Sequence, residues 1–147
     1  LSELVARGPA GHAELKRLLR RVLALLLALT IPITLASLVL VRPAIKLVFE
    51  GRAFTAANSE YVIFAAQLFL LGLVGHSLLE VAARTFYAHQ DARTPLFMAA
   101  LTLGLYIIFG LAFTPRLGFG GLALANSLAF TAEALVMLII LYRRRIL

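Results

Sequence analysis

Long apolar runs separated by short polar segments dominate this chain. A helix of about 20 apolar residues crosses the ~30 Å hydrocarbon layer of a membrane, and the runs are long enough to do so. The third run has no formally charged residue, and the fourth has only Glu133. The pattern predicts an all-α fold, a polytopic transmembrane helix bundle with four spanning helices. The predicted spans cover about 22–41, 60–88, 94–115 and 117–142.

Composition supports a membrane protein and restricts the possible chemistry. Hydrophobic residues make up 62% of the 147 residues and charged residues 14%, against roughly a quarter charged in soluble domains. Cysteine is absent, so disulfides and thiolate metal sites are excluded. His12, His76 and His89 are far apart in sequence. We therefore expect no metal site and no cofactor.

The basic residues predict an orientation. Ten of the fourteen precede the first span, connect the second and third spans, or follow the fourth, and these regions fall on one side. The positive-inside rule places that side in the cytoplasm, with both ends of the chain. Topology and attraction to anionic lipids then account for much of the net charge of +7. Membrane lipids are the expected partners, and nucleic acid is not.

The first part of the chain predicts several local features. Residues 1–21 look like the cytoplasmic end of a preceding helix followed by a basic segment, so we expect the chain to be a piece of a longer protein. Pro32 should kink the first span, as a hinge or as a static bend, with nearby hydroxyls satisfying the freed carbonyl. Residues 43–49 read as a short amphipathic helix stopped by Gly51, and Asn58 or Ser59 as the next helix cap.

Small residues predict close helix packing in the later spans. Gly72 and Gly75 lie along one side of the second span, and Gly121, Ala125 and Ala129 recur every four residues in the fourth. Such faces let helix backbones approach closely in lipid. Two polar residues fit the same role: His76 as a packed, hydrogen-bonded neutral histidine, and Asn126 as an interhelical hydrogen-bond residue.

Five charged residues are candidates for gating or coupling. Glu133 lies ten residues before Arg143, roughly 15 Å along a helix, near mid-membrane. A carboxyl there usually faces a cavity or a partner, so it is either a gating or coupling group or half of a structural pair. The other candidates lie near the connection between the second and third spans: Glu80, Arg84, Asp91 and Arg93.

These four also have simpler interpretations. Glu80 and Arg84 are one helical turn apart and can form a local ion pair. Asp91 and Arg93 could latch the connection to a moving neighbour, and Thr94-Pro95 reads as a helix cap followed by proline. No nucleophile–base pair and no pair of carboxylates at fixed spacing occurs. We therefore expect no catalytic residues and no enzyme.

One connection carries a family signature. Residues 79–95, LEVAARTFYAHQDARTP, resemble the FYA…D-T-[KR]-T-P loop of the MurJ/MviN lipid II flippases, within the multidrug/oligosaccharidyl-lipid/polysaccharide exporter superfamily. Residues 29–32, 49–54 and 120–127 resemble the same family in the same order. Ala92 departs from the pattern, since threonine is usual there, which weakens any hydroxyl-based role at that position.

The resemblance implies a fold and a function. The family has fourteen transmembrane helices in two pseudo-symmetric lobes, and residues 22–147 would be helices nine to twelve in the C-terminal lobe. Its members move lipid II, the undecaprenyl-pyrophosphate-linked peptidoglycan precursor, across the bacterial inner membrane by alternating access. The implied partners are this lipid-linked precursor, with its main head-group site on helices outside this chain, and the rest of the same transporter chain.

Two other functions stay open on sequence alone. A sister-family exporter of another lipid-linked oligosaccharide or a drug would share the helix bundle and differ in its cavity residues. A non-transporting membrane scaffold for cell-wall synthesis would tolerate neutralisation of Glu133.

Overall fold

The chain folds as a bundle of α-helices. The computed structural model describes residues 8–49 and 56–147, and within these ranges there is no strand. The elements are α1 (Gly8–Phe49), α2 (Ala56–Leu71), α3 (Leu73–Ala88), α4 (Arg93–Leu117) and α5 (Phe119–Arg143). Four helical segments are long and apolar enough to span a membrane, with α2 and α3 together forming one of them. The predicted all-α transmembrane fold is confirmed.

Helix α1 is much longer than the predicted first span. Its 42 residues extend for about 63 Å at 1.5 Å per residue, and the helix continues through both Pro32 and Pro43. The separate helix predicted for 43–49 was wrong, because those residues form the last turns of α1. The predicted stop, Gly51, lies outside the described residues.

The hydroxyl groups near Pro32 do not act as predicted. Proline has no N–H to donate to the carbonyl of Ala28, four residues earlier. Thr30 instead donates its hydroxyl to the carbonyl of Leu26 at 2.7 Å, and the buried Thr34 hydroxyl has no hydrogen-bond partner in the described part of the chain. Neither threonine therefore donates the predicted hydrogen bond to the Ala28 carbonyl.

The second span is interrupted at Gly72, which the sequence did not predict. The N–H of Gly72 donates to the carbonyl of Phe69 at 3.0 Å, three residues back, so the carbonyl of Leu68 loses its helical partner. The Ser127 hydroxyl on α5 donates to that Leu68 carbonyl at 2.6 Å. A side chain from another helix therefore replaces the missing backbone bond. Asn58 and Ser59, predicted as caps, lie inside α2, which begins at Ala56.

Helix α5 is the centre of the bundle, packing against α2, α3 and α4, while α1 packs on α2 and α3. The small-residue faces permit these crossings. A Cβ added at Gly72 would lie 2.8 Å from Ser127 Cα, and one added at Gly121 would lie 2.6 Å from the backbone nitrogen of Thr114 on α4. Ala125 and Ala129 are fully buried. The predicted close packing of the second and fourth spans is confirmed.

A hydrophobic core lies at the end of the bundle where α3 and α5 finish. Its fully packed members come from α3, α4 and α5, and Ile146 and Leu147 pack against them from beyond α5. The chain turns back at Arg145, whose φ is 57°. The buried residues of this core are Ala82, Phe86, Met98, Met137 and Leu141.

Candidate functional site

The connection between α3 and α4 is a compact, hydrogen-bonded turn. Gln90 has a φ of 57°, which reverses the chain after α3. The N–H of Gln90 donates to Tyr87 O at 2.9 Å, and that of Asp91 to Phe86 O at 3.0 Å. This pairing of two N–H groups with the last helical carbonyls is the Schellman closure. It fixes Asp91 at the start of α4.

Asp91 supplies the side-chain cap of α4. Its Oδ1 accepts the backbone N–H of Thr94 at 3.0 Å, and its Oδ2 accepts the Thr94 hydroxyl at 2.7 Å. A carboxylate near a helix start satisfies a free N–H group and interacts favourably with the helix dipole. The prediction that Thr94 caps the helix was wrong: α4 begins at Arg93, and Thr94 donates to the cap.

Asp91 also joins the α3–α4 connection to the end of α5. Arg144 donates from Nη1 to Asp91 Oδ2 at 2.6 Å, and its guanidinium carbon lies 5.6 Å from the centroid of the buried Phe86 ring. We call Phe86, Asp91, Thr94 and Arg144 the Asp91 cluster. The hydrogen bonds from the Thr94 N–H, the Thr94 hydroxyl and Arg144 hold the pKa of Asp91 well below its usual range.

The latch from Asp91 and Arg93 to a moving neighbour stays a prediction, and the contact of Asp91 with the end of α5 was not predicted. Asp91 does bind a neighbouring element, whereas Arg93 is exposed and forms no ion pair within the described residues. Arg144 was visible only as the middle of three consecutive arginines. Which of the three arginines faces the α3–α4 connection depends on the residue at which α5 ends. Sequence alone locates a helix end only to within one or two residues.

Glu80 and Arg84 form the local ion pair that their spacing predicts. Arg84 Nη2 lies 2.7 Å from Glu80 Oε1, and the two side chains are 70% and 63% exposed. An exposed pair of this kind contributes at most about 0.5 kcal/mol to stability. A larger role for the Glu80–Arg84 pair would require contacts between these two side chains and parts of the protein outside the described residues.

Glu133 is a buried carboxylate inside the bundle. Its exposure is 5%, and it lines a cavity of about 220 Å³ together with Thr102 of α4. The Thr102 side chain is buried at this cavity as well. Phe130, which also lines the cavity, stacks on the His76 ring of α3, and no ion pair is formed with Glu133 among the described residues. Three helices therefore bring polar groups together here.

His76 and Asn126, the two residues assigned to helix packing, differ in the contacts that they form. His76 is packed as predicted: its Nδ1 lies 2.9 Å from the carbonyl of Gly72, and its ring stacks on Phe130 with centroids 4.6 Å apart. The Asn126 amide nitrogen is buried without a hydrogen-bond partner in the described part of the chain. Ser127, its neighbour, forms the interhelical bond instead. Serine at a small-residue position was the only sequence signal for this contact.

The opposite end of the bundle has a second ionic contact that sequence reasoning missed. Glu60 at the start of α2 accepts Arg42 Nη2 at 3.0 Å and lies 3.7 Å from Lys46 Nζ. All three side chains are about half exposed. Arg42 and Lys46 are one helical turn apart near the end of α1. Their contact with Glu60 links the end of α1 to the start of α2.

The fold and these contacts define a class. A bundle of four apolar spans, with ionic contacts at its two ends and a carboxylate buried among its helices, is a multi-pass helical membrane protein. A buried carboxylate in such a bundle marks a candidate functional position, because an ionisable group within the hydrocarbon layer is costly.

Comparisons with known proteins then identify the family. The family model for the lipid II flippase MurJ matches residues 1–147. The chain is 30% identical over 145 residues to a probable lipid II flippase MurJ of Rhizobium tropici, covering 98% of this chain and 27% of that protein. It is 30% identical over 118 residues to a lipid II flippase MurJ of Burkholderia cenocepacia, covering 80% of this chain and 23% of that protein. The chain belongs to the MurJ lipid II flippase family.

A third relative matches with a similar identity and over a similar share of its length. A probable lipid II flippase MurJ of Rhizobium meliloti is 29% identical over 124 residues, which cover 84% of this chain and 23% of that protein. The chain thus spans about a quarter of the length of the curated relatives it matches. These matches do not favour the sister-family exporter or the scaffold.

Proposed function

We propose that the protein containing this chain translocates lipid II across the bacterial inner membrane by alternating access. The observation that carries the proposal is the match of the whole chain to the MurJ family. Four helical segments able to span the membrane agree with it. We expect the protein to be a transporter and not an enzyme.

The proposed orientation places both ends of this chain in the cytoplasm. The α3–α4 connection and the end of α5 are joined through Asp91 and Arg144, so they lie at one end of the bundle. Ten of the fourteen basic residues belong to that end by sequence. Basic residues concentrate on the cytoplasmic side of a membrane protein. Glu60 and its partners then face the other side.

This chain would support the C-terminal lobe and form part of the cavity wall that moves during transport, in contact with the rest of the transporter chain. The lipid head group requires basic, water-filled surroundings, whereas its polyprenyl tail stays in lipid. Rocking of one bundle against another around a central cavity exposes the head group to each side in turn. The main head-group site is expected on helices outside this chain.

The charged residues at the proposed cytoplasmic end would stabilise one state of the cycle. The Asp91 cluster makes the α3–α4 connection and the end of α5 move together. Glu80, Arg84 and Arg93 are exposed at the same end. They are therefore accessible to the opposite lobe when the cytoplasmic side closes. We infer gating roles for Asp91 and these three residues on this basis.

Glu133 is the proposed coupling residue. Its burial, its cavity shared with Thr102 and its lack of an ion pair among the described residues all support this role. A carboxylate held only for packing would be expected to have a cationic partner, because an unpaired buried charge is costly.

The test is complementation of cells depleted of their own lipid II flippase. The full-length parent is supplied as wild type, as Glu133→Gln, or as Glu60→Gln, and lipid II translocation is measured. Glu60→Gln is the matched control, since it makes the same chemical change at an exposed position. The wild type and the control should rescue, while Glu133→Gln should lower translocation at least tenfold.

Each outcome has a separate meaning. Rescue by all three proteins would assign Glu133 to packing and leave the flippase function standing. Failure of the wild type despite normal membrane expression would overturn the lipid II assignment itself.

A further inference from the structure

The first turns of α1 carry a concentrated group of cations. Lys16, Arg17, Arg20 and Arg21 line an open groove of about 420 Å³ together with Ala13 and Ala24. On a helix, Lys16 and Arg20 fall on one side of the line from Ala13 to Ala24, and Arg17 and Arg21 fall on the other. We call these six residues the basic groove. The four cations thus lie on either side of the Ala13 and Ala24 methyl groups.

The opposite face of the same turns is anchored to the bundle. Leu15 and Leu19 are 1% exposed, so they fix the rotation of α1 about its axis. With this rotation fixed, the basic groove points away from the rest of the described bundle. Arg17, Arg20 and Arg21 are exposed.

The cations of the groove have no acidic partner among the described residues, unlike several other basic residues of the chain. Arg42 and Lys46 pair with Glu60, Arg84 pairs with Glu80, and Arg144 pairs with Asp91. Glu14 is adjacent to the groove but forms no ion pair with it in the described part. Four neighbouring cations with a single acidic neighbour, Glu14, therefore present an excess of positive charge, which an anion would neutralise.

An apolar stripe continues from the groove along the same face of α1. Ala24, Ala28, Ile31 and Leu35 follow one another at spacings of three or four residues, and Ile31 and Leu35 are 46% and 60% exposed. From Ala24 to Leu35 the stripe is about 16 Å long. A charged groove at the start of an apolar stripe matches a molecule with an anionic head and a hydrocarbon chain.

We propose that the basic groove binds the phosphate head group of an anionic membrane phospholipid, with an acyl chain lying along the stripe. Arginine suits this ligand because its planar guanidinium binds phosphate oxygens through paired hydrogen bonds. Basic pockets at the cytoplasmic surface of membrane helices recognise lipid head groups in this way. The site does not depend on the proposed transport function.

The test measures lipid retention by the purified full-length parent in detergent, using native mass spectrometry. The probes are phosphatidylglycerol, which is anionic, and phosphatidylcholine, which is zwitterionic. The Arg17→Gln/Arg21→Gln variant removes one side of the groove. The Arg143→Gln/Arg145→Gln variant removes the same charge from the exposed end of α5 and serves as the control.

Phosphatidylglycerol should bind the groove variant about 30-fold more weakly than wild type at low salt, as expected for two cations beside an anionic head group. The control variant should lose less than about threefold. An Arg17→Lys/Arg21→Lys variant should bind with an affinity between those of wild type and the glutamine variant, because lysine keeps the charge but not the paired hydrogen bonds. Equal losses in groove and control variants would overturn the proposal, as would equal binding of the two probes. Displacement of phosphatidylglycerol by a tenfold lower concentration of undecaprenyl pyrophosphate would assign the groove to the cargo instead.

Discussion

Replacing Gly72 by alanine should force α3 away from α5. The backbone of Gly72 has φ −77° and ψ −10°, which alanine adopts without strain, so any effect must come from contacts. An added Cβ would lie 2.8 Å from Ser127 Cα and 2.6 Å from Ser127 Oγ, whereas ordinary contact begins at 3.4 Å. Because Ser127 Cα belongs to the helix backbone, no change of rotamer can relieve this overlap.

The structure gives the size of the effect. Overpacking of this kind typically costs about 1–3 kcal/mol, to which a helix shift adds the hydrogen bond from Ser127 to Leu68, roughly 1 kcal/mol. We therefore expect Gly72→Ala to lower the free energy of unfolding by about 2–4 kcal/mol.

Gly104 provides the matched control. It lies within α4, and a Cβ added there meets nothing within 4 Å. Since alanine favours helix by up to about 1 kcal/mol over glycine, Gly104→Ala should be neutral or stabilising. The measurement is SDS-induced unfolding of the full-length protein in mixed micelles. Equal stabilities of the two variants would refute the close α3–α5 crossing.

Three further outcomes are expected. Asp91→Asn should destabilise the protein by about 1 kcal/mol at neutral pH, because an amide nitrogen would replace the carboxylate oxygen that accepts hydrogen bonds from Thr94 and Arg144. Since the folded pKa of Asp91 is lowered, wild type should lose this advantage below about pH 4 in a melting series, where the carboxyl of the unfolded chain takes up a proton first; a pH-independent difference would contradict this. Arg84→Ala should change stability by less than about 0.5 kcal/mol yet lower lipid II translocation, and unchanged translocation would remove the gating role of the pair with Glu80. Glu60→Ala should speed amide hydrogen exchange in the last turns of α1 and the first turn of α2, with Glu80→Ala, at the other end of the bundle, as the control that should not.

The number of spans could be predicted because apolar length decides it, whereas the first helix extends well beyond the predicted 22–41. The third span was expected at 94–115, and α4 covers Arg93–Leu117. A close helix approach at Gly72 also followed from sequence, although its partner α5 did not, since small residues at helical spacing have few other uses in lipid.

The contacts that complete the structure depend on geometry between distant elements. The break at Gly72 leaves no pattern in the sequence, since the surrounding residues are as apolar as the rest of the span. It is defined by a hydrogen bond between residues 59 positions apart. The choice of Arg144 over its two neighbours is set by how the end of α5 turns back. Neither can be read from local spacing.

The bond from Ser127 to Leu68 has a consequence for assembly in the membrane. A carbonyl left unpaired in hydrocarbon is unfavourable, and the hydroxyl that donates to the Leu68 carbonyl belongs to the last span. While the second span stands alone in lipid, a continuous helix that pairs every carbonyl is its favoured state. The interruption at Gly72 should therefore form late in biogenesis, once α5 has been inserted beside it.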